Sequence, residues 1–93
     1  MRITPLEQQT IKQVIALVDP DARIYLFGSR TDDAAKGGDI DLLVISSKIT
    51  LMDKLNVLAG LHQKLGEQKI DLIVQSDVSQ PFARLAVRQS IAL

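Results

Sequence analysis

Two stretches of this chain carry an acidic residue where an apolar strand would be expected: Ile40-Asp41-Leu42-Leu43-Val44-Ile45 and Ile70-Asp71-Leu72-Ile73-Val74. Both are rich in β-branched and aliphatic residues and read as strands. A carboxylate inside such a strand loses hydration and must be compensated by a cation, a metal or a full set of hydrogen bonds. The same costly feature in two strands calls for a common explanation. Side chains alternate along a strand, so Asp39 and Asp41 share one face while Ile40, Leu42 and Val44 share the other. If the two strands run parallel side by side, Asp71 comes level with Asp41, and three carboxylates converge at one edge of a sheet.

The rest of the chain supplies what such a sheet needs. Thr4-Pro5-Leu6-Glu7 is a helix start with a capping box, and Ile11, Val14, Ile15 and Val18 recur at helical spacing until Asp19-Pro20-Asp21 signals a turn. Residues 23–27 (RIYLF) form a first strand ended by Gly28, with Tyr25 and Phe27 expected in the core. A polar connection follows, with a short helical turn expected around residues 32–36 before Gly37-Gly38. Thr50 to Asp53 is a second capping box, opening a helix that Gly66 stops. Leu51, Met52, Leu55, Leu58, Ala59, Leu61 and Leu65 give it a broad apolar face. Pro81 opens a last helix, in which Phe82, Leu85, Ala86, Gln89 and Ala92 share a side. The expected fold is α/β (α+β): a small mixed sheet of three strands, with room for a fourth, packed against helices in the order α-β-α-β-α-β-α.

Ninety-three residues correspond to one domain, here residues 1–93, and leave no chain for a separate substrate-binding domain. Eleven Lys and Arg balance eleven Asp and Glu, so no net field steers the chain toward nucleic acid, which is not expected as a direct acceptor. There is no cysteine, which removes disulfides, thiolate chemistry and Cys-ligated zinc. No apolar run approaches a membrane span, so a cytoplasmic protein without membrane contact is expected.

Like charges as close as Asp39, Asp41 and Asp71 repel unless divalent cations neutralise them. Oxygen ligands favour Mg²⁺ or Mn²⁺, and Mg²⁺ is commonly completed by substrate phosphates. The plainer alternative is that Asp39 caps a turn after Gly38 and that the other two carboxylates meet backbone N–H groups or Lys69. Gly28-Ser29-Arg30 directly follows the first strand and offers backbone N–H groups and a hydroxyl to an anion, although glycine-serine after a strand is more often an ordinary turn. If the first two strands are antiparallel, this turn and the carboxylates meet.

Gly28-Ser29, nine residues, then Asp39-Ile40-Asp41-Leu42 resembles the signature of the DNA polymerase beta-like nucleotidyltransferase superfamily. FGSR followed by GGDIDLLV is similar to the minimal nucleotidyltransferases, small proteins often paired with an all-helical HEPN-domain protein in toxin–antitoxin modules. Gly38 stands where many relatives carry serine, a position that is not a metal ligand. The resemblance implies transfer of a nucleoside monophosphate, AMP from ATP or another NTP, to an acceptor hydroxyl with release of pyrophosphate. It further implies that Asp39 and Asp41 bind two Mg²⁺ ions (Mn²⁺ as a substitute), that Asp71 holds the one activating the acceptor, and that Gly28, Ser29 and Arg30 hold the β- and γ-phosphates. The acceptor it suggests is a tyrosine of a HEPN partner. A binding module that neutralises such a partner without chemistry stays open, as does homo-oligomerisation. A small-molecule acceptor ranks lower, because its pocket needs more chain.

His62 falls in register with the leucines of the long helix and reads as a partly buried packing residue rather than a ligand. Asp32 and Asp33 read as solvated charges. Lys36 could meet phosphate, Lys69 could balance charge beside Asp71, and Arg84 with Arg88 could touch nucleotide or simply face water.

Overall fold

The structure, a computed structural model, describes residues 3–28, 39–66, 68–79 and 81–93. Its elements run α1 (Pro5–Ala16), β1 (Arg23–Phe27), β2 (Ile40–Ile45), α2 (Leu51–Leu65), β3 (Ile70–Gln75), α3 (Pro81–Arg88) and β4 (Ile91–Ala92). Both capping boxes form. Thr4 Oγ1 accepts from the Glu7 N–H at 3.0 Å while Glu7 Oε1 accepts from the Thr4 N–H at 2.8 Å. Thr50 and Asp53 repeat the exchange at 3.1 and 3.0 Å. Each such cap stabilises its helix by about 1 kcal/mol and sets where it begins. At the far end of α2, Gly66 takes φ +82° and breaks the helical path.

The strands form one mixed sheet in the order β3-β2-β1-β4. Strands β2 and β3 are parallel, with Asp41 opposite Asp71, and β1 and β2 are antiparallel, with Phe27 opposite Asp41. One sheet face carries Ile24, Leu26, Ile40, Leu42, Val44, Ile70 and Leu72. These join Ile11, Val14 and Ile15 of α1 and Val57 and Leu61 of α2 in a single buried cluster. Burying each of these large aliphatic side chains contributes about 1.5–3 kcal/mol, and that is what holds the strands in register. Helix α3 packs against β1 and β2 separately from that cluster, burying Ala83 and Ala86. Small residues at those positions let the helix lie close to the strands.

The structure corrects several expectations. The last helix ends at Arg88, and Ile91–Ala92 form β4, antiparallel to β1 at Tyr25 and Leu26. The Leu93 N–H continues this pairing to the Ile24 carbonyl at 2.9 Å, supplying the outer edge of β1 with partners that a longer helix would have left to water. Of the broad apolar face expected of α2, Leu61 is buried and Leu58 and Leu65 pack partly buried against the core, whereas Leu51, Met52 and Leu55 stay exposed; Val57, outside that expected face, is buried as well. On α3, Phe82 and Leu85 are likewise exposed. Tyr25 and Phe27 are half-buried rather than in the core, because strand alternation assigns the core to Ile24 and Leu26. His62 is exposed on α2, not partly buried. The helical turn expected around residues 32–36 lies outside the described residues.

One polar contact pins the end of the sheet where β1 begins and β2 ends. Asp19, in the turn between α1 and β1, is only 4% exposed. It accepts hydrogen bonds from the Ser46 hydroxyl and the Asp21 N–H, with the Lys48 ammonium 3.9 Å away. The Ser46 hydrogen bond holds its carboxyl below the ordinary value of 3.8. Burial opposes this, and the Asp21 N–H and Lys48 reinforce it.

Candidate active site

The three aspartates singled out from the sequence come together. One carboxylate oxygen each from Asp39, Asp41 and Asp71 lies within 4.8 Å of the others. Two features of the backbone bring this about. The parallel register sets Asp41 directly beside Asp71, and period-two alternation places Asp39 on the same side as Asp41. The Ile40 N–H donates to the Lys69 carbonyl at 3.0 Å, tying the two strand starts together just below the carboxylates. Asp39 and Asp41 are half-buried and Asp71 is exposed, so the cluster opens to solvent on the Asp71 side.

Gly28 meets the same group. It takes φ +77°, and a Cβ built on it would fall on Oδ2 of Asp41, far inside contact distance. A side chain there would have to displace the carboxylate, so glycine is required on two independent grounds, conformation and space. Gly28, at the end of β1, therefore stands at the carboxylate end of the sheet. Ser29 and Arg30, expected to hold phosphate together with Gly28, lie outside the described residues, as do Asp32, Asp33 and Lys36.

The electrostatics are those of an under-compensated site. Burial raises the Asp41 carboxyl above the ordinary 3.8. A hydrogen bond with Asp71 and the charges of Asp71 and Asp39 add to the rise, while Lys69 opposes it. Two carboxyl groups within hydrogen-bond reach can coexist only by sharing a proton or a cation. Three hard oxygen donors from three side chains, open on one side, fit Mg²⁺ or Mn²⁺, which keep waters and accept substrate oxygens in the remaining positions. No His or Cys joins the cluster among the described residues, which fits a hard cation rather than zinc. Lys69 pairs with Asp39, Nζ to Oδ2 at 3.4 Å, and not with its sequence neighbour Asp71.

Two further candidates lie on α3. Arg84 donates to the Ser79 carbonyl at 3.1 Å, and Arg88 is exposed. A groove along α1, lined by Gln9, Lys12, Ala22 and Ile24 among others, shares no residue with the aspartates.

With this geometry in view, the comparison with known families is decisive. The sequence model of the family described as "Polymerase beta, Nucleotidyltransferase" matches residues 9–93. The chain belongs to this nucleotidyltransferase family. Among the described residues, three helices and a four-stranded mixed sheet match the layout of a minimal nucleotidyltransferase. No individual curated protein matches the sequence.

The residue that sequence reasoning missed is Asp19. Its position in Asp-Pro-Asp suggested only a turn, and its partner Ser46 lies 27 residues further along. No local pattern could have signalled the contact.

Proposed function

We propose that this nucleotidyltransferase is Mg²⁺-dependent and transfers a nucleoside monophosphate, AMP from ATP, to a hydroxyl of a protein partner in the cytoplasm. The observation that carries this reading is the meeting of Asp39, Asp41 and Asp71 within 4.8 Å, beside a glycine with no room for a side chain. Divalent metal, when bound, would supply the positive charge that eases both the attacking and the leaving oxygen of an in-line displacement. Asp39 and Asp41 would hold it from β2. Asp71, the most open of the three, faces the side from which an acceptor hydroxyl can approach and would take up its proton. Gly28, with Ser29 and Arg30, would receive the triphosphate. The protein's part is then placement and charge, which is what phosphoryl-type transfer asks of it.

The partner in this proposal is a small helical protein of the HEPN type, and the pair would form a toxin–antitoxin module. Incubation with labelled ATP, Mg²⁺ and the product of the neighbouring gene is expected to label that product. Label should disappear when Asp39 and Asp41 are both changed to Asn, and its persistence in that double variant would overturn the assignment.

A second reading is favoured by a specific observation. Leu51, Met52 and Leu55 form an exposed apolar run on α2, which suits a chain whose task is to cover a partner. Under this reading the D39N/D41N variant still neutralises the partner in cells. Under the first reading it does not.

Among the described residues no helix is long and apolar enough to cross a membrane.

A further inference from the structure

We propose that Lys69 is a resident counter-cation of the carboxylate cluster, occupying Asp39 when no metal is bound and thereby setting how tightly the site takes a divalent ion. This rests on the metal-binding part of the function proposed above. The Lys69 carbonyl accepts the Ile40 N–H at 3.0 Å, so position 69 is clamped beside the start of β2 before its side chain is considered. From there the ammonium lies 3.4 Å from Asp39 Oδ2, and its charge also reaches Asp41.

The Lys69 side chain is 72% exposed and that of Asp39 37%, so this pair adds little to fold stability. Its influence falls instead on the field at a site where three acidic groups already crowd one another. A lysine suits that role. It is a compact point charge on a flexible stem, able to hold a carboxylate and to swing away when a stronger cation arrives. A divalent ion entering the cluster meets the repulsion of Lys69 and competes with it for Asp39 oxygens. Removing the ammonium should therefore strengthen metal binding, the opposite of what loss of a supporting residue does.

The test is Mn²⁺ affinity, read from the free-ion electron paramagnetic resonance signal, for the wild type, K69Q and K69R without nucleotide. K69Q is expected to bind Mn²⁺ roughly three- to tenfold more tightly at low salt, and the gain should shrink as ionic strength rises. K69R keeps the charge and should bind no more tightly than the wild type. Equal or weaker binding by K69Q, with the wild type binding normally, overturns the counter-cation role and leaves the transferase reading standing. A gain that ignores salt, or that K69R shares, also overturns it. Absence of Mn²⁺ binding by all three proteins overturns both readings.

Discussion

Asp19 and Asp41 sit at opposite ends of the sheet and meet the same difficulty in opposite ways. Asp19 is the more deeply buried, yet its carboxyl is held below the ordinary value, because Ser46, the Asp21 N–H and Lys48 all favour its charged form. Asp41 is less buried, yet its carboxyl is raised, because burial is compounded by Asp71 and Asp39 and only partly relieved by Lys69. Burial alone therefore does not decide how a carboxylate behaves. The partners do, and the end of the sheet that lacks them is the end able to accept a cation.

The largest test of this contrast is chemical. Changing Asp39 and Asp41 together to Asn should reduce nucleotidyl transfer by about 10³-fold or more, measured as label transferred per minute, while circular dichroism stays that of the folded protein. Next comes G28A, which introduces a Cβ into the space held by Asp41 Oδ2 and opposes a positive φ. Mn²⁺ affinity should fall about tenfold or more, as it does when the surroundings of a ligand are disturbed.

Stability should separate the two aspartates by sign. Without metal, D41N is expected to raise the melting temperature by relieving repulsion, and D19N to lower it by breaking a satisfied network, as read by thermal denaturation at pH 7. A common direction of shift would break the comparison. The pH profiles should diverge as well. Asp19 has a depressed carboxyl, so its contribution is complete above the unfolded value near 3.8 and is lost as pH falls through the lower folded value. Asp41 has a raised carboxyl, so its charged form penalises the fold at neutral pH, and this penalty is relieved as pH falls through the raised value toward 3.8. The advantage of D41N over the wild type should accordingly shrink between pH 7 and pH 4, whereas the deficit of D19N should persist to pH 4 and close only below it. The smallest effect is expected for S46A, which removes one of several partners of Asp19 and should lower the melting temperature by a few degrees.

Much of this was legible before the structure, where the signal was local. The two capping boxes stand where Thr4/Glu7 and Thr50/Asp53 indicated, because a cap is a contact within four residues. The meeting of the aspartates could be anticipated, since alternation and one assumption of parallel pairing are enough to align Asp41 with Asp71. What escaped depends on contacts between distant parts of the chain. Leu51, Met52 and Leu55 are as apolar as Leu61 but point to other sides of α2, whose buried stripe runs through Val57 and Leu61, and taking all the leucines as one broad face hid that difference. A two-residue strand such as Ile91–Ala92 is too short to show a period of its own and merges with the helical pattern before it. Tyr25 and Phe27 are as apolar as their neighbours, and only the choice of sheet face distinguishes them.

The parallel alignment of β2 with β3 has a consequence for genetics. Ile40 pairs with Ile70 and Leu42 with Leu72, flanking the aspartate pair like the teeth of a zip. If β3 slid by a single position, Asp71 would turn toward the oily interior and the cluster would lose a member. Random mutagenesis scored for loss of transferase output should thus recover greasy positions on these strands together with the acidic ones, even though the former never touch a reactant.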